Sequence, residues 1–414
     1  MKILYLTQYF FTPNQAGGSR HYHQVKYLAD CGHKVDVLTS YVQDHMSRAI
    51  AEKYRGKLFV KEYWGNITVY KTYASGNYGR GFLDRMKNYL SFMFCALICG
   101  LKIPGNYDLV FASSPSLFVG GAGYLLSKWK KGRFVLEVRD LWPRSAIVLG
   151  FLKNKIFIKM ARWLEIFLYR KAALIIAVTG GIEKAVGEAL GDNNKVKLIT
   201  NGIDPDFFSQ PQLIDFKKRY GLEGKFINIY VGAHGVNNDL ETIIEAADRL
   251  KDFEEIQFVF VGGGDHKANI INMCAERVLR NVHFLPPQPK NTVKDLLKSA
   301  DVCLLAIKKD TFFQGTLPNK LFDYLASGKP VVAAVPHEGE SASLIAHFQG
   351  GIVCSPENGA EMAQAILKLY QDTELRNSFG GASRTDALRC FSRERLAAEL
   401  EESLKNTVQG KGNV

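Results

Sequence analysis

Short apolar runs alternate with amphipathic helical patterns along the whole chain, and they form two successive series. The first series contains KILYLT, KVDVLTS, DLVFASS, RFVLEVRD, ALIIAVT and VKLIT, and the second contains INIYVGA, IQFVFVGGG, VHFLP, DVCLLAI, PVVAAV and GIVCS. Continuous strands rich in Val, Ile and Leu, with helices between them, indicate parallel sheets that are covered on both faces. The pattern therefore predicts an α/β protein with two doubly wound, Rossmann-like domains.

The two series meet near NGIDPDFFSQPQ at 201–212, where Gly and Pro interrupt the periodicity. We expect an N-terminal domain over 1–203, a second domain over 204–388, and a C-terminal helix within 389–414 that can cross back to the N-terminal domain. The amphipathic run FSRERLAAELEESLKN, with Ser392 as its cap, predicts that helix.

Positive charge is concentrated in the first half. Residues 1–200 hold 29 Lys and Arg against 13 Asp and Glu, a net of +16 (29 − 13). The whole chain carries +12, so the remainder carries −4 (12 − 16). A basic half implies an anionic partner such as phospholipid, a phosphorylated substrate or nucleic acid. Because no nucleic-acid reader motif is recognisable, nucleic acid is not expected as a partner.

Two segments of this basic half are unusually apolar. YLSFMFCALICGLKI, residues 89–103, is shorter than the roughly 18 apolar residues of a membrane-spanning helix. GFLKNKIFIKMARWLEIFLYRKAA, residues 150–173, interleaves aromatic and basic residues. Each is typical either of a packing helix or of a helix that lies on an anionic membrane surface. The seven scattered Cys without a C-x-x-C, and an N-terminus that resembles a strand more than a signal peptide, predict a cytoplasmic protein.

Candidate binding residues follow the strand-like runs, because ligands of open α/β sheets lie beyond the carboxyl ends of the strands. In the first half, Gly17 and Gly18 open a helix, and Arg20 lies one helical position further on, as expected for contact with a phosphate. The alternative is two glycines in an ordinary turn. The run RFVLEVRD ends in Arg139 and Asp140, and Arg144 follows. These charges indicate either a functional site or an Arg–Asp pair that pins a loop.

In the second half, QGTLPNKLFDYLASGKPVV at 314–332 predicts a loop, a helix and the start of a strand. Pro318 is expected at the first helical position, and Leu317 is a poor cap, so the first N–H groups remain available to an anion. Lys320 adds an ammonium group, and Asp323 lies about one turn further on. The segment predicts a nucleotide-diphosphate site, with phosphates at the helix start and ribose hydroxyls at Asp323. We assign Thr316, Leu317, Pro318, Asn319, Lys320 and Asp323 to this site.

Other glycines and prolines of the second half extend the predicted site. Gly232 and Gly235, with His234 between them, follow the run INIYV, where backbone N–H groups can contact phosphate. Pro287 and Gln288 belong to a rigid shelf, PPQP, whose backbone is expected to contact the nucleotide base.

These motifs resemble the retaining family 4 glycosyltransferases of the GT-B fold, over nearly the whole chain. GGSRHYHQVKYLADCGHKVDVLT resembles the family's opening, NGID followed by FF its inter-domain signature, and PNKLFDYLASGKPVVA its donor-binding segment. VRDLWPRSAIVLG further resembles bacterial transferases of O-antigen and capsule assembly that use N-acetylfucosamine-type sugars. Three customary contacts differ. Of the two glutamates that the family usually carries in the donor-binding segment, the first corresponds to Gly315 and the second to Asp323. Ala233 and His234 lie near the position of an arginine that is usual in the family. Arg139 and Asp140 correspond to a His-Asp pair that is usual in the N-terminal domain.

The resemblance implies two Rossmann-like domains whose parallel sheets face a central cleft, an acceptor-binding domain over 1–203 and a nucleotide-sugar-binding domain over 204–388. It implies a UDP-sugar as co-substrate, a polyprenyl-diphosphate-linked saccharide as acceptor, no cofactor and no metal. It also implies retention of anomeric configuration, and a cytoplasmic protein that associates peripherally with the inner face of the bacterial plasma membrane. Lys320, Arg139 and Asp140 are the candidate catalytic residues.

Three alternatives remain at the level of sequence. A UDP-sugar 2-epimerase uses the same two-domain fold but needs no lipid. A metal-dependent, single-domain transferase would use an Asp-x-Asp, which DPD at 204–206 matches, but in an inter-domain segment. A membrane-binding pseudoenzyme is consistent with the missing carboxylate at Gly315.

Overall fold

The computed structural model describes residues 1–410 except 14, 16, 42–51, 55, 76–81, 115, 205–207 and 209. The chain divides into two compact units. Unit 1 comprises Met1–Thr12, Ser19–Thr200 and Glu394–Val414, and unit 2 comprises Pro13–Gly18 and Asn201–Arg393.

Unit 1 contains an eight-stranded sheet in the order β3-β4-β2-β1-β5-β6-β7-β8. Its strands are β1 Lys2–Thr7, β2 Lys34–Ser40, β3 Phe59–Trp64, β4 Ile67–Thr72, β5 Leu109–Ser113, β6 Arg133–Val138, β7 Leu174–Ala177 and β8 Val196–Leu198. All neighbours pair in parallel except β3 and β4, which are antiparallel. The predicted parallel sheet is therefore confirmed, with one antiparallel strand at its edge.

The hairpin formed by β3 and β4 was not predicted from the sequence. A two-residue connection, Gly65-Asn66, joins these strands. β3 alternates exposed and half-buried residues, as an edge strand with one solvated face does, so it lacks the continuous apolar run by which the other strands were recognised.

Unit 2 contains a six-stranded sheet in the order β11-β10-β9-β12-β13-β14, parallel throughout. Its strands are β9 Phe226–Val231, β10 Ile256–Val261, β11 Val282–Leu285, β12 Val302–Ala306, β13 Val331–Ala334 and β14 Gly351–Cys354. All six correspond to predicted runs. The first strand of this sheet, β9, lies at its centre. Strands β10 and β11 extend the sheet on one side of β9, and β12, β13 and β14 extend it on the other. The carboxyl ends of β9 and β12 therefore form the topological switch point at which open α/β sheets bind ligands.

Helices connect the strands and cover the sheets. Those of unit 1 are Arg20–Asp30, Phe82–Lys102, Leu117–Trp129, Arg144–Val148, Lys155–Lys171 and Gly180–Leu190, and Arg393–Gln409 begins at the last residue of unit 2 and continues in unit 1. Those of unit 2 are Phe216–Arg219, Leu240–Arg249, Lys267–Glu276, Lys290–Ser299, Asn319–Ser327, Glu340–His347, Gly359–Gln371 and Thr373–Cys390, with 3-10 helices at Val236–Asn238 and Thr311–Gly315.

Successive residues of β1 show that both faces of the unit 1 sheet are covered. Ile3 and Tyr5 belong to one buried cluster, and Leu4 and Leu6 belong to the other, because neighbouring side chains of a strand point to opposite faces. The first cluster also contains Leu400 of the last helix. The burial of this sheet on two sides explains why its central strands are apolar at nearly every position.

Candidate functional site

The helix Asn319–Ser327 begins beside the carboxyl-end edge of the unit 2 sheet. Pro318 is its N-cap residue, in an extended conformation (φ −67°, ψ 141°), so the expectation that Pro318 is the first helical residue is wrong by one position. Pro318 provides no side-chain cap. Leu317 is buried, Asn319 is exposed, and the Thr316 carbonyl accepts a hydrogen bond from Ser341 Oγ at 2.7 Å. The helix start therefore keeps the uncapped geometry that suits an anion.

The Lys320 ammonium lies at this helix start and faces β9. It donates hydrogen bonds to the Tyr230 hydroxyl and, at 3.0 Å, to Asn238 Oδ1, and it stands 4.0 Å from the centroid of the Tyr230 ring. The Tyr230 hydroxyl donates in turn to the Ala233 carbonyl at 2.7 Å. Burial lowers the pKa of Lys320 to about 7, because desolvation disfavours the charged amine. Among the described residues, no carboxylate forms an ion pair with it. An ammonium without an anionic partner in a partly buried site is suited to binding one.

Gly232 makes room for this lysine. A β-carbon on Gly232 would lie 2.8 Å from Lys320 Cε and 3.0 Å from its Nζ, and the residue has a φ of +149°, a conformation that disfavours side chains. Gly232 is the first residue after β9, close to the position at which the family usually carries a cation. Here the cation approaches the same strand end from the helix instead.

His234 lies in the loop after β9, with its side chain turned into the protein interior. Its ring is fully buried among Tyr230, Phe260 and Phe284, and neither ring nitrogen has a hydrogen-bond partner among the described residues. Burial, assisted by the charges of Lys267 and Lys320, lowers its pKa to about 4. A neutral ring therefore packs beneath the loop, and contact of the Gly232–Gly235 loop with a phosphate stays a prediction.

Asp323 lies in the second turn of the same helix and forms an ion pair with Lys290, the first residue of the helix Lys290–Ser299. Both side chains are mostly buried. Lys290 was not predicted as a site residue, although its position directly after the rigid PPQP shelf was a signal for it. Pro287 in that shelf is exposed, and a β-carbon on Gly263 would lie 3.3 Å from its Cγ.

The remaining predicted residues of unit 2 lie on nearby loops. Gly235 precedes the 3-10 helix Val236–Asn238, and Gln288 Nε2 donates to the Pro286 carbonyl at 3.1 Å. Gly17 and Gly18 belong to unit 2 by their contacts, although the sequence placed them with the N-terminal domain. A β-carbon on Gly18 would lie 3.7 Å from Asn319 Nδ2, so this loop approaches the helix start described above. The neighbouring residues 14 and 16 lie outside the described part of the chain.

Arg20 has a different role from the one predicted. Its side chain is buried, donates to Glu137 Oε1 at 2.9 Å, and also contacts the carbonyl oxygens of Ile199 and Thr200. Each of the three guanidinium nitrogens already donates to an internal acceptor, so the expected contact of Arg20 with a phosphate is corrected to an internal, structural role. Glu137, the one carboxylate within β6, was the overlooked signal for this ion pair.

Arg139 and Asp140 follow β6 and lie at the carboxyl-end edge of the unit 1 sheet. Arg139 Nη1 is 3.0 Å from His21 Nε2, and the other ring nitrogen of His21 is 2.7 Å from the Tyr5 hydroxyl. Burial, then the charge of Arg139, lowers the pKa of His21 to about 3, so His21 is a neutral support for the guanidinium. Asp140 Oδ2 accepts from Ser145 Oγ at 2.8 Å, and burial raises its pKa.

Arg144 is exposed and begins the five-residue helix Arg144–Val148. Asp206 of the Asp-x-Asp candidate lies outside the described residues. Within the described part of the chain, no group of three or more His, Cys, Asp or Glu is arranged to hold a metal ion.

Two family models match the chain, one in each half. The model described as Glycosyltransferase Family 4 matches residues 17–207, and the model described as Glycosyl transferases group 1 matches residues 214–386. The chain belongs to the family 4 glycosyltransferases of the GT-B fold. The family and the fold class predicted from the sequence are thus confirmed.

Individual glycosyltransferases support this assignment. WcaI of Escherichia coli, described as a colanic acid biosynthesis glycosyl transferase, is 28% identical over 65% of this chain and 69% of its own length. The glycosyltransferase WbjE of Pseudomonas aeruginosa is 26% identical over 61% of this chain and 63% of its own length. The matched stretches thus span about two thirds of each relative.

A solved structure shows the same fold. HepE from Anabaena, in complex with UDP and glucose, superposes with a TM-score of 0.72 over 98% of this chain and 100% of the HepE chain, at 17% identity. At this identity the likeness establishes the glycosyltransferase fold and not the ligands of this chain.

Proposed function

We propose that this glycosyltransferase transfers a sugar from a UDP-sugar, bound by unit 2, to a saccharide acceptor in bacterial surface-polysaccharide biosynthesis. The observation that carries the donor assignment is the Lys320 ammonium at an uncapped helix start. It is supported by the UDP present in the HepE complex and by the colanic acid pathway in the name of WcaI. We infer further that the sugar is an N-acetylated deoxyhexosamine such as N-acetylfucosamine, transferred with retention and without a metal.

The chemistry of the donor site follows from its charges. As the glycosidic bond to UDP breaks, negative charge develops on the diphosphate leaving group. Helix N–H groups and a nearby ammonium stabilise such charge more strongly in a partly buried site than in water. Lys320 supplies this ammonium, and the hydrogen bonds from its Nζ to Tyr230 and Asn238 hold it in place before the reaction. In unit 1, Asp140 is the candidate to orient or deprotonate the acceptor hydroxyl, and Arg139 to contact an acceptor phosphate.

The acceptor is proposed to be linked to polyprenyl diphosphate in the inner leaflet of the plasma membrane. The helix Lys155–Lys171 is the proposed membrane contact. Ile156, Phe157, Met160 and Trp163 are 70%, 54%, 60% and 65% exposed. The exposed basic residues Lys153, Lys155, Lys159 and Arg162 surround these side chains. Apolar side chains flanked by lysine and arginine suit an anionic phospholipid surface.

Neighbouring helices extend this face. The helix Leu117–Trp129 contacts both Lys155–Lys171 and Phe82–Lys102, and it exposes Leu125 and Trp129. The predicted segment 89–103 has two sides: Phe92 and Cys99 are buried, whereas Phe94 and Ile98 are exposed. Among the described residues, no helix is both long and apolar enough to cross a bilayer. We propose a peripheral contact.

A panel of nucleotides tests the donor assignment. UDP and UDP-N-acetylhexosamines should raise the unfolding temperature, because a ligand that binds the folded state stabilises it, whereas ADP and GDP should raise it less. Incubation with a UDP-sugar and a polyprenyl-diphosphate-linked saccharide, with EDTA present, should lengthen the acceptor by one sugar. No stabilisation by any uridine nucleotide would contradict the donor site. An epimerised sugar formed without acceptor would instead identify a 2-epimerase.

A further inference from the structure

Lys290 carries a positive charge at a place where such a charge is unfavourable. It is the first residue of the helix Lys290–Ser299, and a helix N-terminus already has partial positive charge. Its side chain is only 17% exposed, and burial lowers its pKa despite the opposing effect of Asp323. A buried ion pair of this kind gains little stability over apolar residues, because both ions lose their hydration. The pair is therefore better explained by a role in binding.

The partner of Lys290 is the carboxylate predicted to contact the donor ribose. Lys290 Nζ contacts Asp323 Oδ2. Within the described part of the chain, that is the one hydrogen bond of the Asp323 side chain, so Oδ1 accepts none. An aspartate is also one methylene shorter than the glutamate usual in this family, which limits how far the carboxylate can adjust.

We propose that Lys290 is a positioning residue for nucleotide recognition: it holds the Asp323 carboxylate so that Oδ1 alone accepts a hydrogen bond from one ribose hydroxyl of the donor. This inference rests on the proposed function, because it assumes a uridine nucleotide at the helix Asn319–Ser327. A carboxylate that turns both oxygens toward the ribose would contact both hydroxyls. A carboxylate oriented by Lys290 through Oδ2 presents Oδ1 to one of them.

The test compares the affinities of UDP, 2′-deoxy-UDP and 3′-deoxy-UDP by calorimetry, with the full chain and with three variants. The wild type should lose about 10-fold or more in affinity for one of the two deoxy analogues and little for the other, since the hydrogen bond that is lost is made to a charged group. Lys290→Met should reduce the ratio between the two analogues to near one, and Lys290→Arg should restore part of it. Lys251→Met, which removes a lysine from the exposed ion pair with Asp248, is the control.

The ratio of affinities separates positioning from a general loss of stability, because partial unfolding weakens all three nucleotides equally. Thermal unfolding of each variant without ligand records any such loss. An unchanged ratio in folded Lys290→Met, or equal losses for both analogues in the wild type, would overturn the role of Lys290 while leaving the donor site intact. Failure of the wild type to bind UDP would instead contradict the proposed function itself.

Discussion

The Lys320 side chain lies directly over Gly232, with its Cε 2.8 Å from the point that a β-carbon on Gly232 would occupy. The Lys320 side chain therefore occupies the space that a side chain at position 232, at the end of β9, would fill. This relationship lets the chain place a cation after β9 although no Arg or Lys follows that strand.

Gly232→Ala should weaken UDP binding about 10-fold or more. The new methyl group must displace the Lys320 side chain, and the φ of +149° adds backbone strain. Calorimetric affinity for UDP measures the effect. Gly381→Ala is a matched control, because a β-carbon there meets nothing within 4 Å. Equal affinities for wild type and Gly232→Ala would show that Lys320 does not contact the diphosphate.

Lys320→Ala should lower the rate of sugar transfer by one to several orders of magnitude. Electrostatic contacts to a leaving group are commonly worth about 3–4 kcal/mol, and no second lysine hydrogen-bonds to the Tyr230 hydroxyl among the described residues. Initial rates at saturating donor separate this loss from weaker binding. Turnover close to that of the wild type would place the leaving group elsewhere.

UDP affinity should decrease as the pH rises above about 7. The pKa of Lys320 is about 7 in the free protein, and a bound diphosphate raises it, so binding between these two values takes up a proton. Affinity should then fall by at most about tenfold per pH unit. His234, with a pKa of about 4, stays neutral throughout this range.

Calorimetry at pH 8 in two buffers of different ionisation enthalpy measures the proton uptake directly. The uptake should vanish in Lys320→Met. Identical binding enthalpies in both buffers for the wild type would contradict the linkage.

The double variant Phe157→Ser, Trp163→Ser should lose most of its binding to vesicles that contain anionic phospholipid, because two exposed apolar side chains are removed from the proposed contact. Lys159→Glu should weaken binding and reduce its salt dependence, since each basic residue near such a surface contributes about 1 kcal/mol. Co-sedimentation with vesicles measures both. Leu213→Ser is the control, as Leu213 is 76% exposed but belongs to unit 2. Undiminished sedimentation of the double variant would exclude this helix as the contact.

Glu137→Gln should destabilise unit 1 by about 3–5 kcal/mol, because it leaves the buried Arg20 guanidinium without its counter-charge. Although burial alone would raise it, the charges of Arg20 and Arg139 help to lower the pKa of Glu137 to about 2. Because the pKa of Glu137 is lower in the folded protein than in the unfolded chain, where it is about 4.3, the ionised carboxylate stabilises the folded state at pH values above about 4.3. This contribution is lost as the pH falls toward 2.

Denaturant unfolding between pH 7 and pH 3 measures both effects. The wild type should lose stability over this interval more steeply than Glu137→Gln. Unfolding curves that coincide at pH 7 would show that the ion pair contributes nothing.

The sequence by itself determined the two parallel sheets, because strands buried on both faces must be apolar at almost every position and are recognisable as such. It also determined the uncapped helix at Asn319, since Leu317 and Pro318 have no side-chain acceptor for backbone N–H groups. It did not reveal the β3–β4 hairpin, because one face of β3 is exposed to solvent and the strand therefore lacks a continuous run of apolar residues.

Only the tertiary structure decided which groups meet at each strand end. Lys320 contacts Tyr230 and Asn238, which are 90 and 82 positions away, and Asp323 contacts Lys290 from a different helix. Arg20 donates a hydrogen bond to Glu137, 117 positions away. Side-chain partners across a sheet depend on strand order and register, which local periodicity does not encode. For that reason the sequence indicated the kind of site, and the packing of the sheet selected its members.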